Sequence, residues 1–529
     1  MFNVAPQNVH PIMNEGEKMK KSSMLSGLIA VALSAAMISS TVANAVEPGQ
    51  VGSTTLRASH PQKPTSWNYL QDATSALMVP TYLNILESLF ETAANGDLKP
   101  LLATRVDVSK DGLTYTISLR KATFHDGSKF DSADVVYSLL KNKTSVNGVL
   151  NGPLAPVKGV KASGPSKVIV TLSRPSNAFR GGLGKPTTMI SPEGYFESAN
   201  VGKKLIGTGP FKFGAFRADI DLTLDAYSGY WGAAKPFFKK VIHEFRSDEA
   251  ATISALKTGQ LDIVGMLLGA GVDQVKAFKG DSKYQTFFWP STSASYLFLN
   301  PNTKILQDIK VRQAIAYAID RKPIITAAVG GYGEPSCVVV PTWTSPWNSS
   351  YCPYPYNISK AKALLKEAGY ANGLTLDFPY LTLAEFPVSF EVLVAQLSAV
   401  GITVKGRGMD IGTWVKEVWS TPTPVYDINH ITNNAALDAY SCQLTTPPYG
   451  NKILCDPVFE DFISKNDGIV DPTKYTAAMK AQANYIADQS WMIELFSKNE
   501  PGIANAKLTG IAKYRTDYEM DYRKIKWKK

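Results

Sequence analysis

The chain has 529 residues, a formal net charge of +10, 44% hydrophobic and 19% charged residues, so it is too long for one hydrophobic core and too apolar for a disordered chain. Its 39 glycines and 32 prolines follow no collagen or heptad period, which excludes fibrous folds and points to a loop-rich α/β protein of two or more lobes. Lys and Arg are spread along the sequence with acids between them, which argues against a nucleic-acid partner.

Residues 1–45 read as a secretory signal. Lys18, Lys20 and Lys21 precede an apolar run from Met24 to Ile38, and Ala43, Asn44 and Ala45 form a small-residue cleavage end. Met19 is an alternative start. The run is shorter than the ~20 residues a membrane span needs. No Cys follows the cleavage position, so a lipid anchor is not expected either, and the mature chain is expected in the periplasm with a charge of +9 (three Lys and two Glu removed).

Thr54 to Ser59 reads as a strand, followed by an irregular loop that carries Trp67 and Asn68. A helix is expected through "VPTYLNILESLFE", with Pro80 in its first turn. Tyr115, Ile117 and Leu119 alternate as a half-buried strand, Asp126 and Gly127 make a turn, and Asp131 or Ser132 starts an amphipathic helix. "GTG" at 207–209 precedes a strand instead of opening a helix, which makes it a structural turn and not a dinucleotide loop. The helix "DEAATISALKTG" stops at Gly259 and "QLDIVG" returns as a strand, so a mixed sheet covered by helices is expected.

A second block begins near "SYLFLN". In "DIKVRQAIAYAIDRKPI", Val311, Ala314, Ile315, Ala318 and Ile319 form one helical stripe. Asp308 and Asp320 are N-caps of two successive helices, the second stopping at Gly330 and Gly331. Arg312 and Asp320 are expected to be structural. Two further helices stop at Gly369 and Gly401, and a long one, "DPTKYTAAMKAQANYIADQ", leads into the buried strand "SWMIELFSKN".

The four cysteines, Cys337, Cys352, Cys442 and Cys455, fall in two local pairs without a CxxC motif. Two short-loop disulfides are expected, and zinc is disfavoured by the spacing and by the lack of a nearby His pair. No GxxxxGK[ST], HExxH or GxSxG motif occurs, and the mature histidines, His60, His125, His243 and His430, are scattered. Asp126, Asp131 and Asp134 have turn and capping roles. No catalytic set, metal site or cofactor is expected.

The ordered blocks "TYLNILESLFE", "DGLTYTISLRKATFHDGSKFDSADVVYSL", "IGTGPFKF", "YSGYWG", "AATISALKTGQLDI", "DIKVRQAIAYAIDR" and "KAKALLKEAGY" resemble the extracytoplasmic solute-binding proteins of the peptide and nickel family (family 5). The resemblance implies an α/β fold, a two-lobed periplasmic-binding-protein clamshell of type II, cluster C, with an extra subdomain inserted in lobe I. Lobe I would span 46–298 with the insertion at about 93–207, lobe II 299–499, and 500–529 would return to lobe I, with hinges near Leu299/Asn300 and Asn499. It also implies a monomeric receptor, not an enzyme, that captures a small polar solute. The solute would pass to an inner-membrane ABC permease with its ATPase subunits. An exported hydrolase of peptides or glycosides and a nickel or metallophore receptor are the alternatives.

Dipeptide binders of this family hold the ligand's amine with an acidic residue just before a disulfide, and its carboxylate with a basic residue after a strand. The corresponding stretch "HITNNAALDAYSC" has only Asp438, and "PYLTLAEF" has no Arg or Lys. Both charged clamps are therefore altered. Opine-like or sugar-containing ligands join peptides as expected solutes. Trp67, Asn68, Tyr380, Trp414, Asn433 and Asn434 would suit an uncharged recognition surface, although core packing fits each aromatic equally well.

Overall fold

The computed structural model describes residues 53–528 except 73, 94–96, 146–147, 266–271, 302, 339–349, 383–384, 415–416, 418–427, 434–455, 467, 470 and 512–519. The chain opens with β1 (Thr55–His60) and a short helix, α1 (Ser75–Thr81). The helix expected through "VPTYLNILESLFE" ends there, with Pro80 inside it and Leu83 at φ 65°. Beyond Leu83 the carbonyls of Asn84 and Ile85 accept from the backbone of Phe211 and Gly209 instead of from a following helical turn. The apolar spacing that suggests a helix arises from a tight bend wedged into the core.

An antiparallel sheet follows, formed by β2 (Ala103–Val108), β3 (Thr114–Leu119), β4 (Val157–Ala162) and β5 (Lys167–Leu172) in the order β2-β3-β5-β4. Tyr115, Ile117 and Leu119 of β3 and Val168, Val170 and Leu172 of β5 are buried on one face, as the period of two requires. Helix α2 (Ser132–Lys143) begins with a capping box: the Asp131 carboxylate accepts from Ala133 N–H, and that of Asp134 from Asp131 N–H.

β6 (Phe211–Arg217) and β7 (Asp221–Ala226) form a hairpin beside β8 (Lys240–Phe245). After α3 (Glu249–Lys257) comes β9 (Ile263–Gly265). Two long strands join this half of the protein to the next. β10 (Tyr284–Leu299) leads outward, past α4 (Ile309–Ala318), α5 (Arg321–Val329), α6 (Ile358–Glu367), β11 (Leu374–Leu381), α7 (Phe386–Ser398), β12 (Ile402–Met409), β13 (Ile428–Asn433) and α8 (Pro472–Gln489). β14 (Met492–Asn505) then leads back. Among the described residues the main sheet has nine strands. Eight run in the order β6-β7-β8-β1-β9-β14-β10-β13, and Gly333–Glu334 pairs with β14 outside that path. β11 and β12 form a separate parallel pair.

The apolar core divides along the two long strands. Phe287 and Ala504 belong with Leu56, Ile263 and the first half, whereas Leu297, Leu299, Ile493, Leu495 and Phe496 pack with α4, α5 and β11. The register of the β10–β14 pair shifts between Pro290 and Ala294 and again between Ser295 and Tyr296, at the changeover between the two cores.

Three quoted sequence blocks meet at one buried carboxylate. Glu87 accepts from Thr208 Oγ1 (2.8 Å), Tyr230 Oη (2.9 Å) and Trp231 Nε1 (2.8 Å), and Arg523 Nη1 donates to the same tyrosine oxygen. Burial pushes the Glu87 carboxyl up to about 7, against the hydrogen bonds and the Arg523 charge that favour its ionised form. A Cβ on Gly207 would stand 2.0 Å from the Ile85 carbonyl oxygen, so "GTG" is a close backbone crossing and the strand β6 follows it. The chain end closes the same core: Asn84 Nδ2 donates to the Met520 carbonyl, Tyr522 N–H donates to Asn84 Oδ1, and Tyr522, Ile525 and Trp527 are buried.

The capped helices of the second half match their reading. Asp308 accepts from Lys310 N–H, Asp320 from Lys322 N–H, and Gly330 ends α5 at φ 58°. Arg312 is buried and donates to the carbonyls of Leu306, Gln307 and Gln489, tying α4 to the end of α8. Arg321 donates to the carbonyls of Ser336 and Glu494. Burial lowers its pKa to about 10 despite the nearby Glu494 carboxylate.

Candidate functional site

β1 runs parallel to β8 and β9, and both β9 and β10 are antiparallel to β14. β1, β8, β9 and β10 therefore share one direction. Their carboxyl ends at His60, Phe245 and Gly265 point toward the second core, where in open α/β sheets ligands bind. β13 runs the opposite way, and its last residue, Asn433, pairs with Ala294 of β10 at the changeover between cores. The carboxyl ends of strands from both halves thus converge on the crossover.

The first half carries several buried polar groups on and beside these strands. His60, at the end of β1, stacks at 6.1 Å on His243 of β8, whose Nδ1 lies 2.8 Å from Tyr522 Oη. Burial, then the neighbouring His60, pushes His243 down to about 3, so it is neutral. Asp262, just before β9, accepts from Arg57 N–H at 2.8 Å, and burial pushes its carboxyl up to about 6. In the loop after β1, the Asp72 carboxylate accepts from Thr65 and Ser66 N–H and from both hydroxyls of Thr65 and Thr74. Burial opposes its ionisation, yet hydrogen bonds from Thr74 and Thr65 hold it below the usual carboxylate value.

The residues singled out from sequence are spread over several elements. Trp67 is buried in the first core, edge-on to Phe213 at 5.0 Å and Phe216 at 5.1 Å. Asn68 holds the same loop, its Oδ1 accepting from Leu70 N–H, and stays partly exposed. Trp414 is buried in a cluster with Tyr296, Phe298 and Trp491. Tyr380, next to the end of β11, stacks on Phe390 at 4.0 Å and is partly exposed. Asn434, Asp438, Cys442 and Cys455 lie outside the described residues, and Cys337 is disulfide-bonded to Cys352. The buried groups His60, His243, Asp262, Glu87 and Glu494 were not foreseen. The one signal for Glu87 is a lone acid in the apolar run "NILESLF".

The family model described as bacterial extracellular solute-binding proteins, family 5 Middle, matches residues 97–452, more than half of the chain. The chain belongs to this family. It is a periplasmic solute-binding protein of the ABC importer type, and the hydrolase alternative finds no support among its relatives. It is 30% identical over 354 residues to the glutathione-binding protein GsiB of Pectobacterium atrosepticum, covering 66% of this chain and 68% of that protein. Its counterpart in Escherichia coli K12 is 27% identical over 460 residues, covering 83% of this chain and 88% of that one. In fold it is similar to the CtaP substrate-binding protein of Listeria monocytogenes, with a TM-score of 0.80 and 23% identity over 91% of this chain and 99% of that one. It is also similar to AgaA of A. tumefaciens R10 in complex with agropinic acid, with a TM-score of 0.75 and 24% identity over 90% of this chain and 99% of the other. These likenesses give a two-lobed periplasmic-binding-protein fold. Family 5 proteins bind small ligands in the periplasm and work with an ABC permease and its ATPases.

Proposed function

We propose that this family 5 protein captures a small peptide-like solute, glutathione or a close analogue, as the first step of import. The observation that carries the proposal is that relatives aligned over 83% of this chain and 88% of their own length are named glutathione-binding proteins. Residues 1–45 act as a cleaved signal, and the mature protein works as a monomer. Lobe I spans 46 to about 293 with its insertion at about 93–207, lobe II runs from about 294 to 499, short of the 298/299 boundary read from the sequence because Leu297 packs in the second core, and 500–529 returns to lobe I.

The ligand lies at the converging strand ends. The candidate contacts are Asn433 at the end of β13, Tyr380 of β11 and Asn68 of the loop after β1, together with Asn434 and Asp438, which lie outside the described residues. Trp67 and Trp414 stiffen the walls from behind. The lobes bend at 290–294 and 497–501, because Leu297 and Leu299 already pack in the second core and the strand register is irregular there.

Thermal-shift and calorimetric titration with glutathione, dipeptides, opines, oligosaccharides and nickel tests the ligand class. Saturation at about 100 Kd adds about 2.7 kcal/mol to stability and raises Tm for a true ligand. A response to opines or sugars and none to glutathione or dipeptides refutes the peptide-like class. Small-angle scattering is expected to give a smaller radius of gyration with ligand bound.

A further inference from the structure

Basic residues are scattered along the sequence, but the net charge is not. Residues 93–207 hold sixteen Lys and Arg against eight Asp and Glu, net +8, whereas the remaining residues after position 45 hold 36 against 35. Residues 299–499 alone hold 16 against 18, so the excess belongs to residues 93–207.

The acids of this region serve local structure. Asp111 accepts from Ser109 Oγ and Leu113 N–H, Asp126 from Ser128, and Asp131 and Asp134 cap α2, while Asp107 and Glu197 pair with Arg105 and Lys141. Lys110, Lys121, Lys129, Lys158, Lys161 and Lys167 are exposed, and none pairs with a carboxylate among the described residues.

Topology gathers several of them. Because β5 buries Val168, Val170 and Leu172, its outer face carries Lys167, Ile169 and Thr171. Lys161 of β4 stands opposite Ile169, and Ser118 of β3 opposite Lys167, so Lys161 and Lys167 are diagonal neighbours on that face. Lys158 lies at the bulge between Val157 and Gly159. Leu119 N–H bonds to the Ser166 carbonyl and Ser132 N–H to that of Pro165, which brings the segments carrying Lys121 and Lys129 beside the β4–β5 turn. The rest of the outer face carries the hydroxyls of Thr114, Thr116, Ser118 and Thr171, with Ile169 between the lysines and the Arg105–Asp107 ion pair on β2.

We propose that the outer face of the β2-β3-β5-β4 sheet is an electrostatic docking face for an anionic phospholipid surface, holding the receptor at the membrane that contains its permease. An excess of exposed lysine beside hydroxyl side chains suits a layer of phosphate headgroups, which demands charge and no apolar insertion. The near-neutral remainder of the protein leaves this face to set the orientation.

The test is flotation of the mature protein with phosphatidylcholine vesicles, with and without phosphatidylglycerol, across a salt series. Binding is expected only with phosphatidylglycerol, and to weaken as salt rises. Each lysine near the surface contributes about a fivefold factor, so K158Q/K161Q/K167Q is expected to weaken binding on the order of 100-fold. K360Q/K362Q/K366Q, which removes the same charge from exposed positions of α6, is expected to retain it. Equal binding to neutral vesicles, no binding at low salt, equal losses in the two triple variants, or binding that requires reconstituted permease each overturns the proposal. The last of these assigns the face to a protein partner. Should the first triple variant fail to fold, the salt dependence and lipid selectivity of the unaltered protein still decide.

Discussion

Replacing Glu87 by alanine removes the acceptor shared by Thr208, Tyr230 and Trp231, all within 2.9 Å of a carboxylate with no solvent exposure. The two hydroxyls can rotate toward other partners, but the indole N–H is fixed and the Tyr230 oxygen is left facing Arg523. Orphaning a buried donor costs about 1–3 kcal/mol, and breaking a buried charge network by removing one partner costs about 3–5 kcal/mol. Relief from burying a carboxylate whose pKa has risen to about 7 offsets part of this. The net loss expected for Glu87→Ala is therefore about 3–4 kcal/mol. Glu87→Gln keeps the volume and one acceptor oxygen but turns an N–H₂ toward a donor, and is expected to cost about 1–3 kcal/mol. Urea titration at constant pH, with the midpoint read at unchanged slope, measures both. A loss below about 1 kcal/mol for alanine, or equal losses for the two variants, refutes the assignment of Glu87 as the organising acceptor.

His243, neutral and held down near 3, is protonated in the unfolded chain near pH 6.5. Its contribution is present above pH 6.5 and lost as pH falls toward 3, by at most about 5 kcal/mol, and urea midpoints of His243→Gln are expected to show a shallower acid limb. Glu87 has the opposite sign. Its folded value near 7 exceeds the unfolded value of about 4.3, so its contribution is full below the unfolded value and fades as pH rises through 7, a slope that Glu87→Gln removes. Gly207→Ala drives a methyl group into the Ile85 carbonyl, and is expected to abolish soluble expression or to lower Tm by many degrees. Trp414→Ala is expected to cost about 3–5 kcal/mol of folding stability, as a buried core ring does, whereas a ring serving only the ligand would lose affinity with Tm unchanged.

The elements legible in sequence are those whose signals are local. The N-caps Asp131, Asp308 and Asp320, the Gly330 stop and the alternation of Tyr115, Ile117 and Leu119 each need only a few neighbours, and all appear as read. The run after Pro80 reads as helix in sequence because its apolar residues repeat at helical spacing, yet the helix ends at Thr81. What bends it is the backbone of residues 207–211, more than a hundred positions away. The site is harder still. Trp67 and Trp414 are both buried among other rings, and no periodicity distinguishes a ring that faces a ligand from one that faces Phe213. The position of Asn433 opposite Ala294 depends on strand pairing across 139 residues, which no local pattern encodes.

The clasp between Asn84 and residues 520–522 joins positions more than 430 apart in sequence. Nearly the whole chain must therefore be present before the Asn84 amide, the Tyr522 backbone and the Arg523 contact beside Glu87 find their partners. Closing a loop of that length delays the contacts that reward it. The first half thus gains its last contacts only once residues 520–523 are in place, so the end of the chain closes a core that the beginning opens.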